Sequence, residues 1–88
     1  MRTFCQDFTA QVGRTQVTVH YFNDRVCWEA SRQRFCYDAG MIIEFREFIN
    51  NMVDAGASVT EIVSEFQTYF AVRRQRAFWV VETMLSPQ

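Results

Sequence analysis

The feature that most constrains the fold is an alternation of apolar and polar residues with a period of two, repeated in four short segments before residue 39. Such alternation is typical of β-strands that bury one face, because successive side chains point to opposite sides of a sheet. Short polar or glycine-containing connections separate the segments, at Val12-Gly13, Asn23-Asp24 and Ser31-Arg32. Two-residue connections of this kind favour antiparallel hairpins. Residues 1–38 are therefore predicted to form an antiparallel β-meander of four strands, with a three-stranded sheet as the alternative.

The strand registers follow from these connections, because a shift of one residue would move every apolar side chain to the wrong face. Two-residue loops at the three connections place two predominantly apolar rows on the same side of the sheet. The first row is Phe4, Tyr21, Val26 and Tyr37, and the second row is Gln6, Val19, Trp28 and Phe35. One face of the sheet is thus predicted to be rich in aromatic residues and buried.

After residue 40 the apolar residues recur at helical spacing, which predicts amphipathic helices. The first helix is predicted over residues 39–55, with Asp38 as its N-cap. The segment from Ser58 to Glu61 matches a capping box, in which the serine hydroxyl and the glutamate carboxylate each accept a backbone N–H. A second helix is therefore predicted over residues 58–86.

The second predicted helix changes character halfway along. Arg73 and Arg74 stand where the apolar stripe predicts buried residues, and the five apolar residues from Ala77 to Val81 wrap right round a helix. We therefore expect this helix to be either long or kinked near Arg73. Its tail either folds back on the sheet or docks on another chain.

Length and composition indicate a single α+β domain over residues 1–88. A chain of this length buries only about 60% of the surface that its unfolded state exposes. Aromatic residues make up 16% of the chain, and their large side chains can form a core that is large for this length. The three cysteines are odd in number and contain no CxxC pair, and no leader segment is recognisable. These features predict a cytoplasmic protein with reduced thiols. No apolar run approaches the roughly 18 residues of a membrane-spanning helix.

One row on the outer face of the predicted sheet suggests a metal site. The row contains Cys5, His20, Cys27 and Cys36. Four neighbouring strands span about 14 Å, whereas zinc holds its ligands at about 2.0–2.3 Å, so no metal site is predicted. A catalytic Cys–His pair would need an electropositive pocket, which Asp7 and Glu29 in the next row oppose. The chain also has no Gly-rich phosphate loop and no GxSxG motif. We therefore expect no catalytic residue, no cofactor and no enzymatic activity.

The leading functional hypothesis is a non-enzymatic protein-binding module, an inhibitor or adaptor that occupies a surface on a larger protein or assembly. Arginine and aromatic residues are enriched at the hot spots of such interfaces. The predicted contact residues are Arg73, Arg74, Arg76, Trp79, Val80 and Met84. A homodimer through the helical tail or through the outer sheet face is a further predicted association.

The alternative hypothesis is nucleic-acid binding. All nine basic residues of the chain are arginines, and converging arginines would neutralise several phosphates. The candidate residues are Arg32, Arg34, Arg73, Arg74 and Arg76. The ten acidic residues and the net charge of −1 count against this hypothesis, since nucleic-acid-binding domains usually carry a basic excess.

In its length, its sheet-plus-helix layout and its lack of catalytic motifs, the chain resembles the small inhibitors and adaptors encoded by phages and mobile elements, anti-CRISPR proteins among them. The resemblance implies a protein-binding function without catalysis. It involves no shared motif, so it assigns no role to any individual residue.

Overall fold

In a computed structural model, which describes residues 6–86, a four-stranded antiparallel sheet is followed by three helices. The strands are β1 (Phe8–Val12), β2 (Thr15–Tyr21), β3 (Arg25–Ala30) and β4 (Gln33–Asp38), and they are hydrogen-bonded in the order β1-β2-β3-β4. The helices are α1 (Ala39–Asp54), α2 (Val59–Phe70) and α3 (Arg74–Leu85). The α+β class and the four-stranded meander are confirmed, and the three-stranded alternative is wrong.

The registers of β2, β3 and β4 agree with the prediction. Tyr21 lies opposite Val26, and Val26 lies opposite Tyr37. In the next row Trp28 lies opposite Phe35, and their rings stack with centroids 5.4 Å apart. The apolar face is therefore continuous across these three strands, as the alternation of the sequence requires.

The predicted register of β1 against β2 is wrong by two residues. Phe8, and not Gln6, lies opposite Val19, because the turn occupies Gly13-Arg14 instead of Val12-Gly13. Gly13 has a φ of 62°, a left-handed conformation that glycine adopts at little cost. A shift of two residues keeps every side chain on its predicted face, and it replaces a glutamine in the apolar row by a phenylalanine. The predicted partner Phe4 lies outside the described residues.

The core lies between the aromatic sheet face and the helices. Helix α1 packs on β3 and β4, α3 packs on β1 and β2, and α2 contacts both other helices. Trp28, Phe45 and Phe66 are each at most 1% exposed. The indole N–H of Trp28 donates to Oγ1 of Thr83 at 2.8 Å, which satisfies the polar end of a buried tryptophan and joins the centre of the sheet to α3.

The predicted helix starts are correct at two positions. Asp38 caps α1 by accepting the backbone N–H of Met41. Ser58 and Glu61 form the predicted capping box at the start of α2. Both caps bind backbone N–H groups that have no partner within the helix.

The single helix predicted over residues 58–86 is in fact two helices. Helix α2 ends at Phe70, and its C-cap Ala71 has a left-handed φ of 55° and ψ of 45°. Val72 and Arg73 then lead into α3. Helix α3 turns back onto the sheet, where Trp79 and Val80 are 4% and 1% exposed. The kink near Arg73 and the folded-back tail are therefore confirmed. Ala77, Trp79, Val80 and Val81 of the tail are buried within the domain, whereas Phe78, Met84 and Leu85 are half-buried. Docking of the tail on another chain stays a prediction. No helix within residues 6–86 is both long and apolar enough to cross a membrane.

Candidate nucleic-acid interface

Arginine side chains converge at one end of the domain. In a meander the β1–β2 turn and the β3–β4 turn lie at the same end of the sheet, and the break between α2 and α3 returns the chain to that end. Six of the eight arginines within residues 6–86 line two adjoining clefts there, and we call this surface the arginine end. They are Arg14, Arg32, Arg34, Arg73, Arg74 and Arg76.

The larger cleft lies between the edge strand β4 and the α2–α3 connection and has a volume of about 650 Å³. Arg32 and Arg34 line it from the β3–β4 hairpin, and Arg73 and Arg76 line it from the start of α3. The guanidinium carbon Cζ of Arg76 lies 4.9 Å from the ring centroid of Phe35. Such a cation–π contact orients the guanidinium while its edge N–H groups stay available to a ligand.

The smaller cleft has a volume of about 540 Å³ and lies between the β1–β2 turn and α3. Arg14 and Arg74 line it, and Gln75 lines both clefts. The first turn of α3 therefore stands between two arginine-lined depressions. A ligand that carries several anionic groups along a chain can therefore contact the larger and the smaller cleft at the same time.

The charge at this end is unbalanced. No described residue that lines either cleft is acidic, and none of the six arginines forms an ion pair with another residue of the described range 6–86. Glu29 lies opposite Arg34 across the strands, but its carboxylate accepts a hydrogen bond from His20. Although the whole chain has a net charge of −1, its positive side chains are concentrated at the arginine end. The overall charge therefore does not count against the binding of a nucleic acid at this surface.

The start of α3 adds positive potential to the arginine end. Its N-cap, Arg73, makes no side-chain capping hydrogen bond, and the first turn contains no acidic residue. The first backbone N–H groups of a helix have no partner within it, and the helix dipole favours an anion at that end. The starts of α1 and α2 differ, because Asp38 and Ser58 occupy the corresponding N–H groups.

The structure brings together all five residues proposed for nucleic-acid binding, namely Arg32, Arg34, Arg73, Arg74 and Arg76. Sequence reasoning missed Arg14. The signal for it depends on the register of β1: with the first turn at Gly13-Arg14, Arg14 and Arg32 each occupy the second position of a two-residue turn, and alternate turns of a meander share one end.

The residues proposed for protein binding are divided by the fold. Arg73, Arg74 and Arg76 are exposed. Trp79 and Val80 are core residues at 4% and 1% exposure, which leaves them almost no surface for a partner; their contact with a partner stays a prediction. Met84 is half-buried and packs against the core, which leaves it little surface for a partner.

The outer face of the sheet carries the predicted row in an altered form. His20, Cys27 and Cys36 lie opposite one another, while Cys5 lies outside the described residues. Cys27 and Cys36 form a disulfide, so the prediction of reduced thiols is wrong for this pair. When two cysteines face each other on adjacent antiparallel strands, their Cβ atoms are close enough for their sulfur atoms to form a disulfide.

His20 is held between two carboxylates. Its Nδ1 is 2.8 Å from Oδ2 of Asp7, and its Nε2 is 3.0 Å from Oε1 of Glu29. These hydrogen bonds, that to Asp7 above all, raise the pKa of His20. The backbone N–H of Tyr21 and then the hydrogen bond from His20 lower the pKa of Asp7. With both ring nitrogens engaged, His20 has no nitrogen left for a metal, and among residues 6–86 no cluster of three His, Cys, Asp or Glu is arranged to hold one.

No protein family matches the chain, and no curated protein or solved structure matches it either.

Proposed function

We propose that this protein is a non-enzymatic nucleic-acid-binding protein whose arginine end contacts the phosphate backbone. The observation that supports the proposal is the grouping of six arginines around two adjoining clefts that have no acidic lining. Arginine suits this role because its planar guanidinium forms paired hydrogen bonds to phosphate oxygens. The uncapped start of α3 between the clefts adds N–H donors of the kind that bind phosphates elsewhere.

The clefts favour contact with the backbone over contact with bases. Proteins that bind unpaired bases stack them on exposed aromatic rings, but Phe35 and Trp79 are buried, and Tyr37 and Phe78 are half-buried. Phosphate contacts position a nucleic acid without reading its sequence. The proposed binding is therefore independent of sequence and strongly dependent on salt.

The expected salt dependence can be worked out from the number of arginines. Each phosphate neutralised on duplex DNA contributes about −0.9 to the slope of log affinity against log salt concentration. If four to six arginines make contacts, the slope is about −4 to −5. Removing one contacting arginine lowers its magnitude by about 1.

The test is a fluorescence-anisotropy titration of a labelled duplex and a labelled single strand at several salt concentrations. Arg74→Ala is expected to weaken binding at every concentration and to reduce the slope. Arg25→Ala is the matched control, since it also removes one exposed arginine. Arg25 lies near the β2–β3 turn at the other end of the sheet and pairs with Asp24. Equal losses for the two variants, or no binding by the wild type, would contradict the proposal.

The protein-binding hypothesis makes a different prediction for the same surface. An inhibitor or adaptor of the phage-encoded kind would use Arg73, Arg74 and Arg76 against carboxylates of an acidic partner. If the protein binds polyglutamate and binds neither the duplex nor the single strand, the ligand of the arginine end is an acidic protein surface and not a phosphate backbone.

The cytoplasmic location remains a prediction. The Cys27–Cys36 disulfide is more typical of oxidising compartments. Alkylation of free thiols before cell lysis, followed by mass spectrometry, reports whether this pair is oxidised where the protein is made.

A further inference from the structure

A third depression lies between α1 and α2, with a volume of about 400 Å³, and its chemistry is opposite to that of the arginine end. Glu44 and Glu47 line it from α1. Tyr69 lines it from α2 with 71% of its surface exposed. The Tyr69 ring lies 5.0 Å from that of Phe48 and 4.8 Å from that of Phe70, centroid to centroid. We call this surface the aromatic–acidic groove.

The groove has the features that recognise a guanidinium. Glu44 and Glu47 are exposed and form no ion pair within residues 6–86. An exposed tyrosine ring attracts a cation to its face, and a carboxylate beside it forms paired hydrogen bonds to arginine. Exposed aromatic rings also cost free energy in water, so a partner that covers Tyr69 gains from its burial.

The groove and the larger arginine cleft are lined by consecutive residues of the chain. Tyr69 and Phe70 line the groove, and the next residues, Ala71 to Arg73, line the cleft. Three residues of chain span at most about 10 Å. Two patches of opposite character therefore adjoin at the connection between α2 and α3.

We propose that two copies of the chain form a two-fold symmetric dimer in which the aromatic–acidic groove of each subunit receives the larger arginine cleft of the other. In a two-fold interface the same surface is used by both subunits, so a contact between residue i and residue j occurs twice. When the two-fold axis passes between two adjoining patches of opposite charge, each patch of one subunit faces the oppositely charged patch of the other subunit. The axis lies near Val72, beside the exposed residue Ala71.

Charge complementarity selects a second copy as the occupant of the groove, because this chain itself carries the matching guanidinium groups. The arrangement also differs from the dimers expected from the sequence. A dimer through the tail would have to use half-buried residues, since Trp79 and Val80 are 4% and 1% exposed. The outer sheet face has its central charges, His20 and Glu29, already paired with each other.

The dimer does not depend on nucleic-acid binding, but it occupies one of the two clefts proposed for that function. A polyanion in the larger cleft and a second subunit in the same cleft exclude each other. By linkage, each then weakens the binding of the other by the same factor. Arg14 and Arg74 in the smaller cleft remain accessible in both states.

The test is analytical ultracentrifugation of the full chain over a wide concentration range, with paired charge reversals. The groove variant carries Glu44→Arg with Glu47→Arg, and the cleft variant carries Arg73→Glu with Arg76→Glu. Each variant alone is expected to raise the dimer dissociation constant about a hundredfold, because attraction becomes repulsion in both halves of the interface. An equimolar mixture of the two variants is expected to form a heterodimer, since each reversed patch then meets its complement.

Glu65→Arg on the exposed face of α2 is the control, because it changes the same charge without lining the groove. A wild type that stays monomeric at low salt would overturn the proposal. So would a mixture that fails to associate while circular dichroism shows both variants folded, or assemblies that keep growing with concentration. Arg74 lines the smaller cleft and lies outside the proposed dimer interface, so the DNA titration of Arg74→Ala reports on the proposed function separately from the dimer.

Discussion

The hydrogen bond between Trp28 and Thr83 joins the centre of the sheet to α3, the helix that carries two of the six converging arginines, Arg74 and Arg76. Thr83 is 2% exposed and Trp28 is 1% exposed. The Thr83 hydroxyl accepts the indole N–H at 2.8 Å and donates to the carbonyl of Trp79 at 2.6 Å. Thr83→Val keeps the branched shape of the side chain and removes the only acceptor that the indole N–H has within the described residues.

The cost of this substitution follows from burial. A buried donor left without a partner costs about 1–3 kcal/mol, and we expect a loss of about 2 kcal/mol in the free energy of unfolding. For a domain of this length, each kcal/mol shifts the melting temperature by about 4–8 °C, so we expect a fall of about 8–16 °C. Thr83→Ser keeps the hydroxyl and loses one methyl group, which costs about 1 kcal/mol.

Urea and thermal unfolding, followed by tryptophan fluorescence and circular dichroism, measure both variants. The decisive comparison is a double-mutant cycle with Trp28→Phe, because a phenylalanine has no N–H to leave unsatisfied. In that background Thr83→Val is expected to cost much less than it does in the wild type. If Thr83→Val costs the same in both backgrounds, or no more than Thr83→Ser, the hydrogen bond is not what holds α3 to the sheet.

Two further predictions concern the backbone break and the histidine. Ala71→Gly is expected to stabilise the domain by about 0.5–1 kcal/mol in urea unfolding, because glycine adopts the left-handed φ of 55° without a Cβ penalty; Ala55→Gly, at a φ of −80°, should give no gain. For His20, whose folded pKa is raised from 6.5, the stabilisation by Asp7 and Glu29 is fully present below pH 6.5 and is lost as pH rises through the folded pKa. Urea midpoints measured across this range should therefore fall with rising pH in the wild type and not in His20→Gln, and parallel curves would contradict this account.

Much of the sheet follows from local patterns. Period-two alternation assigns each strand residue to a face, so Val26, Trp28 and Phe35 are predicted correctly as core residues from the sequence. Local signals fail where two connections fit equally well. Turns at Val12-Gly13 and at Gly13-Arg14 keep the same alternation, so the alternation does not distinguish them, and the structure places the turn at Gly13-Arg14. Helix starts are also local, since the capping groups of Ser58 and Glu61 bind N–H groups within three residues.

The division of the last helix and the arginine end required the tertiary structure. Ala71 is not a residue that usually ends a helix in the left-handed conformation, so its sequence carries no stop signal. The break between α2 and α3 lets α3 fold back onto the sheet. The burial of Trp79 and Val80 that results stabilises this arrangement. Whether Arg14 lies beside Arg74 depends on the direction in which α3 returns.

The sequence by itself thus determined the two faces of the sheet, the starts of α1 and α2 and the supply of arginines, because these depend on residue period and on contacts a few positions apart. Only the tertiary structure decided that Trp79 belongs to the core and that residues 60 positions apart, Arg14 and Arg74, share one surface. The physical reason is that burial of the α3 face is a property of the whole fold, and the positions of the charged side chains follow from it.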